Sequence, residues 1–191
     1  MAIGKNVWRT KKLKKYMRNY LLLLLYFSSV LFPLLAQEGY PKPNVKDLLF
    51  YIQHNRGKNT YLYQANIDKQ GKIDSNDPVK ISRQMFDNNA EIKSITAIQR
   101  KFAYGIDSTP QSDKSYELSL VSYPQQRLYL RSNADDNYFV ETTLNGIKMK
   151  INRLFIFQKE GTSGLNTKVD YILFFGTDQK GKHVHSKLVI D

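Results

Sequence analysis

The stretch Tyr138-Phe139-Val140-Glu141-Thr142-Thr143-Leu144-Asn145-Gly146-Ile147-Lys148-Met149-Lys150-Ile151 decides the fold. Tyr138, Val140, Thr142 and Leu144 alternate with their neighbours before Asn145-Gly146, and Ile147, Met149 and Ile151 alternate with Lys148 and Lys150 after it. A period of two sends successive side chains to opposite faces, here one dry and one wet. Asn-Gly between two such runs suits a tight hairpin turn, because both central residues of that turn need positive φ. The segment therefore reads as an antiparallel ribbon with one buried face.

The rhythm continues in both directions. Residues 48–53, 60–67, 79–83, 116–121, 127–131, 153–158, 169–176 and 183–190 read as further strands, punctuated by Gly57, Gly71, Asp87-Asn88-Asn89, Asp135-Asp136-Asn137, Gly161 to Gly164 and Gly181. Leu154-Phe155-Ile156-Phe157 and Tyr171-Ile172-Leu173-Phe174-Phe175 are apolar on both faces, which predicts central positions. One segment changes period: Ile92, Ile95, Ile98 and Phe102 recur at helical spacing, with Glu91, Lys93, Gln99 and Arg100 between them. It predicts an amphipathic helix over about residues 91–104, capped by Asn88 or Asn89 and ended by Gly105. The expected fold is mainly β, an antiparallel meander forming a barrel or sandwich with that one helix packed on it.

Among 191 residues there are 29 Lys+Arg, 17 Asp+Glu and no Cys. Without sulfur from cysteine there is no disulfide framework, thiol nucleophile, cysteine zinc site or lipoprotein acylation. The net charge of +12 is unevenly spread, since Lys5, Arg9, Lys11, Lys12, Lys14, Lys15 and Arg18 precede the first acid, Glu38. An apolar run from Leu21 to Phe32 follows, then Pro33-Leu34-Leu35-Ala36-Gln37. Positive end, apolar middle and small residue before a cut make residues 1–36 a secretory signal. Ser28, Ser29 and Pro33 interrupt the run, and a bilayer core needs about 20 predominantly apolar residues, so cleavage is favoured over permanent anchoring. Leu34, bulky for the third position before the cut, keeps an uncleaved leader as the second reading and as the sole expected membrane attachment. Met17-Arg18-Asn19-Tyr20 would also begin a compact signal, so Met17 is an alternative start. Residues 37–191 then form a single β-rich domain, expected in the periplasm, the cell envelope or the medium. Removing the leader leaves 155 residues with 22 basic and 17 acidic side chains, net +5, which lacks the concentrated basic stripe of a nucleic-acid binder.

Several phrases together resemble a known family. Leu49-Phe50-Tyr51-Ile52-Gln53, Asn59-Thr60-x-Leu62-Tyr63-x-Ala65-Asn66, Gly71 with Asn76-Asp77-Pro78-Val79, Gln99-Arg100-Lys101-Phe102-Ala103-Tyr104-Gly105 and Tyr116-Glu117 are similar to domain-of-unknown-function family 4833, in order. The likeness spans nearly all of the mature chain, and Gln99 to Gly105 is its most specific part. It implies a bacterial protein of this size with a leader, and it implies no assigned reaction. Val79-Lys80-Ile81-Ser82-Arg83 departs from the Trp-containing aromatic strand that the family places after Pro78.

Candidate chemistry is sparse. His183-Val184-His185 puts two imidazoles on one strand face, and with His54 they make a candidate zinc or copper set. Asn66, Asp68, Asp74 and Asp77 fall on calcium-loop spacing around Gly71, although a strand and not a helix precedes them. The plain alternative is a hairpin connection whose side chains satisfy their own backbone. Gly161-Thr162-Ser163-Gly164 lacks the nucleophile-elbow spacing, and there is neither a phosphate-cradling loop nor a dinucleotide fingerprint, so no catalytic residues are assigned and no cofactor is implied. Paired carboxylates have no fixed sequence spacing, and Asp135-Asp136 reads as a turn. Tyr61, Tyr63 and Tyr129 on strands, with Arg100, Lys101 and Tyr104 on the helix, form the candidate ligand or partner surface. The sole Trp, Trp8, lies in the leader.

The function expected is non-catalytic binding of an envelope component, a small ligand or a protein partner; the alternative is a periplasmic metal- or carboxylate-dependent hydrolase. Mass spectrometry of the exported protein is expected to find Gln37 at the mature N-terminus, and a mass that retains residues 21–32 would select the anchored form instead.

Overall fold

Asn145 and Gly146 both take positive φ, 51° and 76°, and close the hairpin between β8 (Tyr138–Leu144) and β9 (Ile147–Gln158). The computed structural model describes residues 41–135 and 137–190, so the leader reading lies outside the described residues. In the hairpin register Val140 faces Ile151 and Thr142 faces Met149 on the inner side, while Glu141 faces Lys150 on the outer. The outer Glu141 carboxylate lies 2.7 Å from Arg131 Nε and 3.1 Å from Lys148 Nζ, so the wet face satisfies its own charges.

β9 organises everything else. Its first half pairs with β8, and Arg153–Ile156 on the same edge pair in parallel with β1 (Leu48–His54). The opposite edge takes β10 (Val169–Thr177) antiparallel, and β10 carries β11 (His183–Val189). One wing continues from β1 through β2 (Gly57–Ala65) and β3 (Val79–Met85) to β4 (Glu91–Ser94). The other continues from β8 through β7 (Tyr123–Ser132) and β6 (Tyr116–Leu120) to β5 (Ile106–Pro110). The nine-strand path from β4 to β5 through β9 curls into a half-barrel. The mainly β expectation is borne out. Among the described residues, the β1–β9 pair is parallel and every other strand pair is antiparallel.

Strand parity delivers one core from both wings and the ribbon. Phe50, Ile52, Tyr63, Leu118, Leu130, Met149, Leu154 and Phe174 are all fully or almost fully buried in a single cluster. Removing each such side chain from water contributes about 1.5–3 kcal/mol. The two-sided apolar stretches of β9 and β10 are central, as their composition predicts.

The helix is shorter than its periodicity suggests. Residues 91–94 are not its first turn; they form an edge strand in which Ile92 faces Gln84 of β3. Asn89 and Ala90, with φ of 51° and 56°, reverse the chain so that these residues meet the free edge of β3. Asn88 is thereby a turn residue, accepting from Glu91 N–H, and not a helix cap. Ladder hydrogen bonds suit β-branched Ile92 better than a helix does. The helix itself, α1, is one α-turn (Ala97–Gln99) continued as a π-helix (Arg100–Tyr104).

Where β10 passes β9, the register shifts between Phe175 and Gly176, so β9 contributes an extra residue and bends. A Cβ at Gly176 would collide with the carbonyl group of Lys150, so only glycine lets the two backbones approach. Gly176→Ala is expected to lower stability by about 1–3 kcal/mol, read as a shift in the urea midpoint; an unchanged midpoint would show that the bulge yields freely.

Candidate functional site

Alternation along three neighbouring strands assembles one aromatic cluster at the end of the sheet nearest α1. Phe50, Ile52 and His54 share the inner face of β1, and the register sets Phe50 beside Tyr63 and Ile52 beside Tyr61 on β2. Tyr61 in turn faces Arg83 on β3. Above them, α1 starts at a capping box: Gln99 N–H donates to Thr96 Oγ1 at 3.2 Å, and Thr96 N–H donates to Gln99 Oε1 at 3.1 Å. It ends at Gly105, where a Cβ would strike the Arg100 carbonyl oxygen, so the wide π-turn closes only on glycine.

The helix is held from beneath. The Tyr63 hydroxyl donates to the Tyr104 carbonyl at 2.8 Å. The Tyr104 hydroxyl lies 3.0 Å from His54 Nε2, and the Tyr104 ring stacks on Tyr61 with centroids 3.4 Å apart. His54 stands edge-on to both rings, and Tyr63 stacks on Phe50 at 4.4 Å, which ties the helix to the core. Ile95, just before the helix, is buried in the same core.

Burial governs the electrostatics. Loss of solvation pushes the His54 imidazole down to about 4, because the charged form has no compensating partner. Burial also raises Tyr104, reinforced by Tyr61 and opposed by the Arg83 guanidinium, and raises Tyr63 well above the usual phenol value. Near neutral pH all three groups are therefore uncharged. The Tyr104 hydroxyl and Nε2 of the neutral imidazole share this hydrogen bond, with its direction set by the tautomer. Among the described residues Nδ1 has no hydrogen-bond partner. A general base needs a pKa near the working pH, and burial holds the His54 imidazole well below it. The arrangement works as a latch.

The structure gathers the sequence candidates only in part. Tyr61, Tyr63 and Tyr104 come together, but Tyr61 and Tyr63 are buried and face inward. Arg100 and Lys101 are exposed on α1, with Lys101 beside Phe102. Tyr129 lies in the other wing, beside Arg131 and across from Glu117 and Glu141. His54 points to the inner face, whereas parity through β9, β10 and β11 puts His183 and His185 on the outer one. Among the described residues no group of three His, Asp or Glu is placed to hold a metal ion. In the Asn66–Asp77 loop, Asp68 Oδ1 accepts from Gln70 and Lys72 N–H, Asp74 Oδ1 accepts from Asn76 N–H, and Asn66 donates to the Asp77 carbonyl. These side chains cap their own turns.

Sequence reasoning missed the outward side of α1. Ile98 and Phe102, expected against the sheet, are 65% and 60% exposed. The helical period counted from Ile92 runs across three extended residues, so its phase is lost before α1 begins. The Thr96-x-x-Gln99 spacing is the signal that marks the true start. A second aromatic row, Phe157 stacked on Tyr171 at 4.3 Å with Lys187 3.9 Å from the Tyr171 ring, covers the outer face of β9 to β11.

The depressed His54 value sets a pH dependence. The unfolded imidazole takes its proton near 6.5 and the folded one near 4, so the unfolded chain binds more protons between these values. The stability associated with His54 is present above about pH 6.5 and is lost as the pH falls towards 4, about 3 kcal/mol in all. Urea unfolding at several pH values is expected to show that His54→Gln loses less stability than wild type on acidification; parallel pH profiles would contradict the latch electrostatics.

No curated protein and no solved structure matches the chain. The sequence model of the family described as "Domain of unknown function (DUF4833)" matches residues 50–187. That match runs from the stacked Phe50 of β1 to Lys187 of β11 and includes α1 with its latch; the chain belongs to the DUF4833 family.

Proposed function

We propose that this chain is an exported, non-catalytic binding domain whose contact surface is the outer side of α1 and whose partner is a component of the cell envelope. One observation carries the reading: the helix is pinned through Tyr63, Tyr61 and His54 on its inner side while Ile98 and Phe102, one turn apart, are 65% and 60% exposed. Single exposed apolar side chains are ordinary, but a rigidly supported pair on a short helix is the composition of a contact site. Covering each would contribute up to about 1.5–3 kcal/mol, and little ordering cost opposes it because the helix is already fixed. The leader supports the envelope address.

The other readings have less support. A cleft of about 240 Å³ is lined by Asp47, Leu48, Ala65, Ile67, Asn137 and Tyr138, at the end of the β1–β2 hairpin away from α1. Drug-sized ligands occupy roughly 300–1,000 Å³, so a small-molecule role draws little from it. Among the described residues no group of three His, Asp or Glu is placed to hold a metal ion, so a metal-dependent hydrolase draws no support from the structure.

Co-sedimentation of the purified exported protein with isolated envelopes tests the proposal. Wild type is expected in the pellet, and an Ile98→Asp/Phe102→Asp variant in the supernatant with an unchanged Tm, since both side chains are exposed. Equal sedimentation of the two proteins, or wild type remaining soluble, would overturn it.

A further inference from the structure

We infer that the outer side of α1 docks on an anionic lipid surface, with Ile98 and Phe102 entering the bilayer interface and Arg100 and Lys101 meeting lipid phosphates. This rests on the binding reading above and names its partner; it does not depend on the leader's remaining attached.

The charge pattern points to the partner. From Ala97 to Tyr104 the helix contains no acid. Among the described residues Lys58, Lys93, Arg127, Arg131, Lys148 and Lys159 each lie against a carboxylate. Arg100 and Lys101 are exposed and, among those same residues, have no such partner, as is also true of Lys69, Lys80 and Lys180 elsewhere. What sets α1 apart is that its cations adjoin exposed apolar side chains. Lys101 Nζ lies 5.3 Å from the Phe102 ring centre, so cation and apolar ring belong to one patch. Long cationic side chains beside apolar ones suit a boundary where hydrocarbon lies beneath a layer of phosphate.

Helix length argues against a protein groove. A helix seated in a groove is read through anchors at i, i+3, i+4 and i+7. The eight residues of α1 present two outward apolar anchors, Ile98 and Phe102. An interface needs only that apolar tips reach the acyl boundary while the backbone stays among the headgroups. The latch favours this use, because a helix already fixed to a sheet loses little freedom on docking.

The test is vesicle sedimentation of the exported protein with pure phosphatidylcholine and with mixed phosphatidylglycerol and phosphatidylcholine. Wild type is expected to favour the anionic vesicles by about tenfold or more, less so as salt is raised. Arg100→Glu/Lys101→Glu is expected to abolish that preference, and Ile98→Asp/Phe102→Asp to weaken binding to both vesicle types, each with an unchanged Tm. If Ile98→Asp/Phe102→Asp fails to fold, the charge variant still decides. Equal binding to neutral and anionic vesicles, or a preference that survives charge reversal, overturns the inference. Binding to envelopes without binding to either vesicle also overturns it while leaving the binding domain standing with a non-lipid partner. Failure of both assays removes both readings.

Discussion

A β-strand has two edges, and this fold follows from how β9 divides them. One edge is shared end to end: its first residues pair with β8 and its later ones with β1, while β10 covers the other edge. Two strands placed in series along one edge cannot both continue as a flat sheet, so the wings behind them diverge and curl around a common interior. Gly176 and the bulge opposite it let the β9 backbone bend where the partner changes. The single core, with contributions from both wings and from β10, is the consequence.

The curl leaves β4 and β5 as terminal strands joined in sequence through α1. A loop there would leave the end of the core wet. Instead Ile95 enters the core, and Tyr63 reaches up to accept the helix by hydrogen-bonding a backbone carbonyl. The hydrogen bonds beneath are between uncharged groups, which suits a dry site, since burial penalises an imidazolium and a phenolate alike. With its inner side committed to Tyr104 and its contacts, α1 has only one direction in which Ile98 and Phe102 can point. The outward patch is thus built by the latch and is not an accident of the helix.

Much of this was legible in the residues. Two-residue alternation and Asn145-Gly146 gave the central hairpin with its register, because the turn and the dry face must agree. The two-sided apolar runs marked β9 and β10 as central. The short edge strands β4 and β5 were not legible, since Glu91–Ser94 and Ile106–Pro110 are short and β5 ends in proline. The candidate surface was half legible. Tyr61, Tyr63 and Tyr104 do form one group, but their hydroxyls and ring faces serve the interior, and Tyr129 belongs to the other wing.

The sequence by itself determined the strands other than β4 and β5, the hairpin at Asn145-Gly146 and the family, because these depend on local backbone preference and on a period counted along the chain. Tertiary structure decided which strand lies beside which, that β1 joins β9 in parallel across a hundred residues of chain, and which way α1 faces. Each of those depends on partners distant in sequence: a free edge on β3 that claims residues 91–94, and a tyrosine and a histidine on neighbouring strands that turn Tyr104 inward. No periodicity within a segment records the atoms that will lie against it.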